Sequence, residues 1–189
     1  MIVSAAILCC MHISMAAAAP LEIRLPEDGA FLTAAEAEAA RKRCDTEAWA
    51  GKERDELFAK AEALCAAPID IPHKPGQWTL WYNCADDGAA LEAKSPTEHV
   101  CPLCGKIYSG WPYDEVYVER QHGKWLGGVE NLGLAYSLDP RPAFPERARA
   151  ILLEYASFYE QLPLHDINNK QGSARARLAS QTLDEAVLL

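Results

Sequence analysis

The chain has 189 residues, half of them hydrophobic and about a quarter charged, which suits a domain with a packed core and excludes a disordered chain. Acidic residues outnumber basic ones 27 to 18. That balance argues against a nucleic-acid partner, whose phosphates need clustered Lys and Arg, but leaves room for a local basic cleft that takes an anionic sugar.

In chain order, the first signal is an apolar stretch over residues 2–15, with no Lys or Arg before Arg24 and small residues leading up to Pro20. It predicts a signal peptide over residues 1–19 and a periplasmic or secreted protein. No positively charged segment precedes it, so a single membrane anchor or a misplaced start codon remain alternatives. No later segment approaches the ~20 apolar residues of a membrane span, so no membrane contact is expected after cleavage. Cleavage removes Cys9 and Cys10 of the seven cysteines, and the odd remainder does not match a pure disulfide framework.

Residues 20–189 then read as one domain. Thr33 followed by Glu36 forms a capping box and starts a helix. Residues 45–67 read as a second helix, with Trp49, Leu57, Ala61 and Leu64 near helical spacing. Cys44 and Cys65 fall in these patterns and read as buried thiols. The prolines of "APIDIPHKPGQ" end the second helix. Residues 77–110 form an insert of different character, punctuated by Gly and Pro, with strand-like "WTLWYNC" and "KIYSG". The strongest helix runs from Tyr113 to Leu138, where Val118, His122, Trp125, Val129, Leu132 and Tyr136 step by four and three along one face. A turn at 139–142 leads to a helix marked by Phe144, Ala148, Ile151, Tyr155 and Phe158. After the loop "LPLHDINNKQG", a last helix is expected from Ser173. No stop signal ends it before Leu189, which predicts that the natural chain continues.

The insert carries the clearest chemistry. Cys101, Cys104 and Gly105 make one C-x-x-C-G knuckle, a turn that points two thiolates at one metal ion. A second knuckle begins at Cys84 and ends at Gly88, with Asp87 where its second cysteine would stand. A carboxylate can ligate zinc, so Cys84, Asp87, Cys101 and Cys104 are the expected ligands of a closed, structural Zn2+ site. His99 is the alternative fourth ligand, with His73 and His122 more distant options. A Cys101–Cys104 disulfide is the competing account of the same pair.

"TEHVCPLCGKIYSGWPYDEVYVERQHGKW", then "NLGLAYSLDP", "ARAILLEYASFYEQLPLHD" and "ARLASQTLDEAVLL", resemble in order the heparinase II/III-type polysaccharide lyases over residues 25–189. The resemblance implies a mainly α fold: part of an incomplete (α/α) toroid of helical hairpins with a small zinc-ribbon-like β insert. It implies β-elimination on uronate-containing polymers such as glycosaminoglycans or alginate. There a positioned group neutralises the carboxylate, a Tyr or His base removes the C5 proton, and an acid protonates the leaving oxygen. General acid–base help is worth roughly 10²–10⁴-fold, with electrostatic stabilisation usually larger. The family's catalytic Asn, His and Tyr follow the "QTLDEA" segment. None is carried over onto this chain, which is expected to be an N-terminal portion, inactive alone, with the catalytic residues beyond Leu189.

Candidate sugar contacts are Arg120, His122 and Trp125 on the long helix, offering a cation, a switchable donor and a stacking face. Arg177, Gln181 and Glu185 share one face at i, i+4 steps if the last helix forms. His165, with Asp166, sits on a loop. The bland alternatives are a core histidine at position 122 and a solvated outer helix. From another class, a non-catalytic, zinc-stabilised, exported helical module for carbohydrate binding or assembly fits the same features.

Overall fold

A computed structural model describes residues 32–172 and 176–188 of the chain. The predicted leader, residues 1–19, lies outside the described residues, as does Ser173.

Four helices form the body. α1 (Ala34–Thr46) begins at Thr33, whose Oγ1 accepts the Glu36 N–H at 3.2 Å while the Glu36 carboxylate accepts the Thr33 N–H at 2.9 Å. This reciprocal pair satisfies N–H groups that a helix start otherwise leaves open. α2 (Ala48–Ala66) follows after one extended residue, Glu47. α3 spans Tyr113–Leu138 and α4 spans Ala143–Phe158, where the apolar spacing places them. α3 packs against α1, α2 and α4. The shared core holds Ala61 of α2, Trp125 and Leu132 of α3, and Phe144, Ile151 and Phe158 of α4. On α4 the buried positions recur at helical spacing, so one stripe faces inward and the other face stays wet. No helix of the described residues is long and apolar enough to cross a membrane.

The proline-rich segment after α2 is not a free loop. The indole Nε1–H of Trp125 donates to Asp70 O at 3.1 Å, His122 Nε2 to Lys74 O at 2.9 Å, and His165 Nε2 to Gly76 O at 2.9 Å. Buried carbonyls need such partners, and three side chains supply them. Gly76 itself is required by close approach. A Cβ there would lie 2.7 Å from both Leu178 O and Glu119 Cβ.

The insert folds as a three-stranded antiparallel sheet of β1 (Glu92–Ser95), β2 (Glu98–Val100) and β3 (Ile107–Tyr108), in the order β1–β2–β3. "WTLWYNC" is not a strand. Thr79–Trp81 form a single 3-10 turn, held by Trp81 N–H to Trp78 O and Tyr82 N–H to Thr79 O, and Asn83 pairs with Ala90 across an isolated bridge. Local turn bonds and the edge-to-face Trp78–Trp81 contact outcompete extension there.

The last helix also differs from expectation. α5 covers only Thr182–Leu188, and residues 177–181 are irregular. The N–H groups of Arg177, Leu178 and Ala179 all donate to one oxygen of Glu185, at 2.7, 2.7 and 3.0 Å. Ala176 pairs with His165, and Leu178 O accepts the Gly76 N–H. These non-local bonds draw the backbone out of the helical ladder. The expected common face of Arg177, Gln181 and Glu185 therefore does not form, and of the three only Glu185 lies on a helix. The apolar side chains of this region are likewise split: Ala176, Leu178 and Ala179 are buried, while Leu183 is 73% exposed.

Candidate metal centre

Two turns of the insert are built alike. In the first, Cys84 N–H donates to Ala89 O and Gly88 N–H to Cys84 O; in the second, Cys101 N–H donates to Lys106 O and Gly105 N–H to Cys101 O. Gly88 and Gly105 close the turns at φ of 75° and 73°, a left-handed conformation that glycine adopts without strain. Asp87 thus occupies in one turn the place that Cys104 occupies in the other.

The four side chains converge. One ligand atom from each of Cys84, Asp87, Cys101 and Cys104 lies within 4.8 Å of all the others. Cys84 Sγ is 3.6 Å from Cys104 Sγ, and Cys101 Sγ is 3.3 Å from the nearer Asp87 oxygen. Bonds of about 2.3 Å to sulfur and about 2.0–2.2 Å to oxygen in a tetrahedron place sulfurs about 3.8 Å apart and sulfur about 3.5 Å from oxygen. The spacing therefore fits a tetrahedral ion. All three thiols are free, so the Cys101–Cys104 pair is not bridged.

Neighbours orient the ligands. The Tyr108 hydroxyl lies 3.2 Å from Cys84 Sγ and accepts the Ala85 N–H at 3.0 Å, leaving its proton for the sulfur. That bond holds the Cys84 thiol below its usual range. Asp87 is also lowered, chiefly because its carboxylate accepts the Ala89 N–H at 2.9 Å. At Cys104 the Lys106 N–H favours the thiolate, but Cys101, desolvation, Cys84 and Asp87 outweigh it and push the thiol up to about 12. Four acidic groups in contact cannot all ionise without a cation between them. A metal ion would supply that charge and favour the thiolate forms.

His99 is turned away from this cluster. Its Nε2–H donates to Asp114 Oδ1 at 3.0 Å, and its Nδ1 accepts from the Tyr82 hydroxyl at 2.6 Å. The ring is fully buried. It joins β2 to the first turn of α3, where Asp114 also accepts the Gly110 N–H. His73 pairs with Glu154 at 2.7 Å, and His122 lies in the helical core.

Comparison with known protein families and with curated proteins finds no match.

The candidate sugar contacts are scattered rather than gathered in one cleft. His122 accepts from the Tyr155 hydroxyl at 3.0 Å while donating to Lys74 O, and burial lowers its pKa, so it rests as a neutral core imidazole. Trp125, His165 and Glu185 are buried as well. Asp166 caps its own loop, accepting the Asn168 and Lys170 N–H groups. Arg120 stacks on Tyr82 with its guanidinium carbon 4.1 Å from the ring centre, beside the ribbon. Arg177 donates to Leu162 O and Glu160 O. Gln181 is half-buried, just before α5. The sequence reasoning missed Tyr108 and the Tyr82–His99–Asp114 link. In "KIY" the in–out alternation of a strand was the available signal for Tyr108; nothing local marks the link.

Proposed function

We propose that Cys84, Asp87, Cys101 and Cys104 hold one structural Zn2+, and that the chain is the helical N-terminal portion of a polysaccharide lyase of heparinase II/III type. Three thiolates and one carboxylate form a soft, four-coordinate set with no open position, which suits zinc in a structural role. The matched hydrogen bonding of the two turns, with Asp87 in the second ligand position, carries the metal assignment. Metal analysis of purified protein should give about one zinc per chain, and Cys101→Ser should lose it. Absence of metal together with an oxidised Cys101–Cys104 pair would overturn the assignment.

The lyase reading rests on the order of motifs and is supported by one packing feature. Tyr136, Leu152 and Leu153 are each 43–51% exposed along an apolar groove between α3 and α4. A toroid buries such faces between successive hairpins, and an apolar groove of this kind suits one more helical pair. In this reading the zinc ribbon braces the start of α3, and the acid and base of β-elimination come from helices packed further round. The substrate class is a uronate-containing polysaccharide. The test is ultraviolet detection of unsaturated products from glycosaminoglycans and alginate. A protein extended along the reading frame past Leu189 should form them, and this chain alone should not. Product from this chain alone would overturn its role as scaffold. Polymer binding without product in both forms would favour the non-catalytic module.

A further inference from the structure

Glu119 lies on the inward face of α3, 93% buried, and its Oε2 has no hydrogen-bond partner among the described residues. An uncompensated buried carboxyl is costly, and a retained one calls for a physical reason. Glu119 lines a cavity of about 230 Å3 together with Gln77, Trp78, Asp184, Val187 and Leu188. Neighbouring Glu185 offers no relief, because its oxygens already accept three backbone N–H groups and the Tyr159 hydroxyl. Gly76 makes space for the acid, since a Cβ there would stand 2.6 Å from Oε2. Among the described residues, no Lys, Arg or His lines the cavity.

We propose that this cavity binds a primary ammonium group on a compact body, with Glu119 and Asp184 accepting its N–H donors and Trp78, Val187 and Leu188 covering its carbons. The cavity's charge repels a uronate. The described residues bring no third metal-ligating group to Glu119 and Asp184 in the way the ribbon gathers four. A neutral polyol brings no positive charge to set against the Asp184 carboxylate and has no means of displacing the Glu119 proton. An ammonium matches both the charge and the aromatic face. The volume suits a single sugar ring or a short alkyl chain, below the size of drug-like sites.

Proton linkage supplies an independent readout. Burial, then Asp184 and Glu185, push Glu119 up to about 8. The other titratable neighbours are His122 on the same helix, held neutral by burial, and Tyr155 of α4, whose pKa is raised. At pH 7 the Glu119 carboxyl is therefore mostly protonated, and an arriving ammonium displaces that proton to solvent.

The experiment uses the full chain, with glucosamine and n-butylamine as probes and glucose and n-butanol as neutral controls. Calorimetry in two buffers of different ionisation enthalpy reads affinity and proton release; backbone NMR reads location. Both amines should bind saturably, shift the signals of residues 77–79 and 182–188, and release up to one proton at pH 7. Glu119→Gln should weaken them by about tenfold or more and abolish the proton release. Asp184→Asn, on the cavity rim, should weaken binding similarly and serves if the first variant fails to fold. Tighter glucosamine marks an amino sugar as the natural source, and tighter butylamine an alkylamine. No saturable amine binding, equal binding of the neutral controls, or an unchanged affinity in both variants would overturn the site. The cavity shares no residue with the metal centre or with the α3–α4 groove, so its failure leaves those proposals standing.

Discussion

Around Cys84 the buried side chains are few: Tyr82, Leu91, Cys101, Tyr108 and Val116 complete the cluster, and two of its six members are thiols of the metal centre. Between α2, α3 and α4 lies a larger core in which Leu132, Ile151 and Leu178 are fully enclosed and the aromatic rings of Trp125, Phe144 and Phe158 fill the spaces. Strands of two to four residues bury too little apolar surface to hold themselves, so a ribbon of this size needs a crosslink. The helical layer needs none. If the proposed metal site is filled, one chain reaches order by coordination in one place and by packing in another, and the two should fail under different insults.

The widest separation should come from removing the metal. A structural zinc contributes on the order of 10 kcal/mol in small finger peptides. Chelation, or Cys101→Ser, should therefore expose the amides of residues 82–108 to rapid hydrogen exchange while those of α4 stay protected. Unchanged protection in the ribbon would erase the contrast. The converse insult is Ile151→Ala, which opens a cavity in the helical core at a cost of about 2–5 kcal/mol. It should lower the main melting transition and leave one zinc per chain; loss of zinc as well would mean that the two regions fold as one unit.

A pH series sharpens the helical side. Glu119 titrates near 4.5 when unfolded and at about 8 when folded. Between those values the folded protein holds a proton that the unfolded chain has lost, so stability falls as pH rises across that window. Comparing wild type with Glu119→Gln should show this loss, up to a few kcal/mol, only in the wild type. Parallel curves would remove Glu119 as the source. The joint between the regions is next in size. His99→Ala leaves the Tyr82 hydroxyl and Asp114 without their shared partner, costing about 1–3 kcal/mol, yet it should keep the zinc, whereas Asp87→Ala should weaken metal affinity. If His99→Ala weakened zinc more than Asp87→Ala, the fourth ligand would move to His99. Smallest is Thr33→Ala, worth about 1 kcal/mol at the start of α1, which should register as fraying of that helix with both regions otherwise intact.

Much of this was legible in the sequence because the signals were local. The capping box at Thr33 and Glu36 needs only its own four residues. The apolar periods of α3 and α4 mark one face each whatever they pack against. The two knuckles reveal themselves by spacing, since a Cys, three steps, a ligand and a glycine define a turn. The remaining features depended on distant partners. His122, Trp125 and His165 looked available for a ligand, but each meets a carbonyl of the proline-rich segment from far along the chain. The last helix had adequate periodicity from Ser173 onward, but the Glu185 carboxylate gathers the N–H groups of residues 177–179 and shortens it.

The sequence by itself determined where the four main helices lie and which four side chains converge as a candidate metal site, because both follow from contacts within a few turns of chain. Only the tertiary structure decided that His99 serves as a joint and not a ligand, that the backbone before α5 is irregular, and that Glu119 is left without a partner beside a cavity. Those outcomes depend on which buried donors and acceptors find each other across long loops, a competition that no single stretch of the sequence contains.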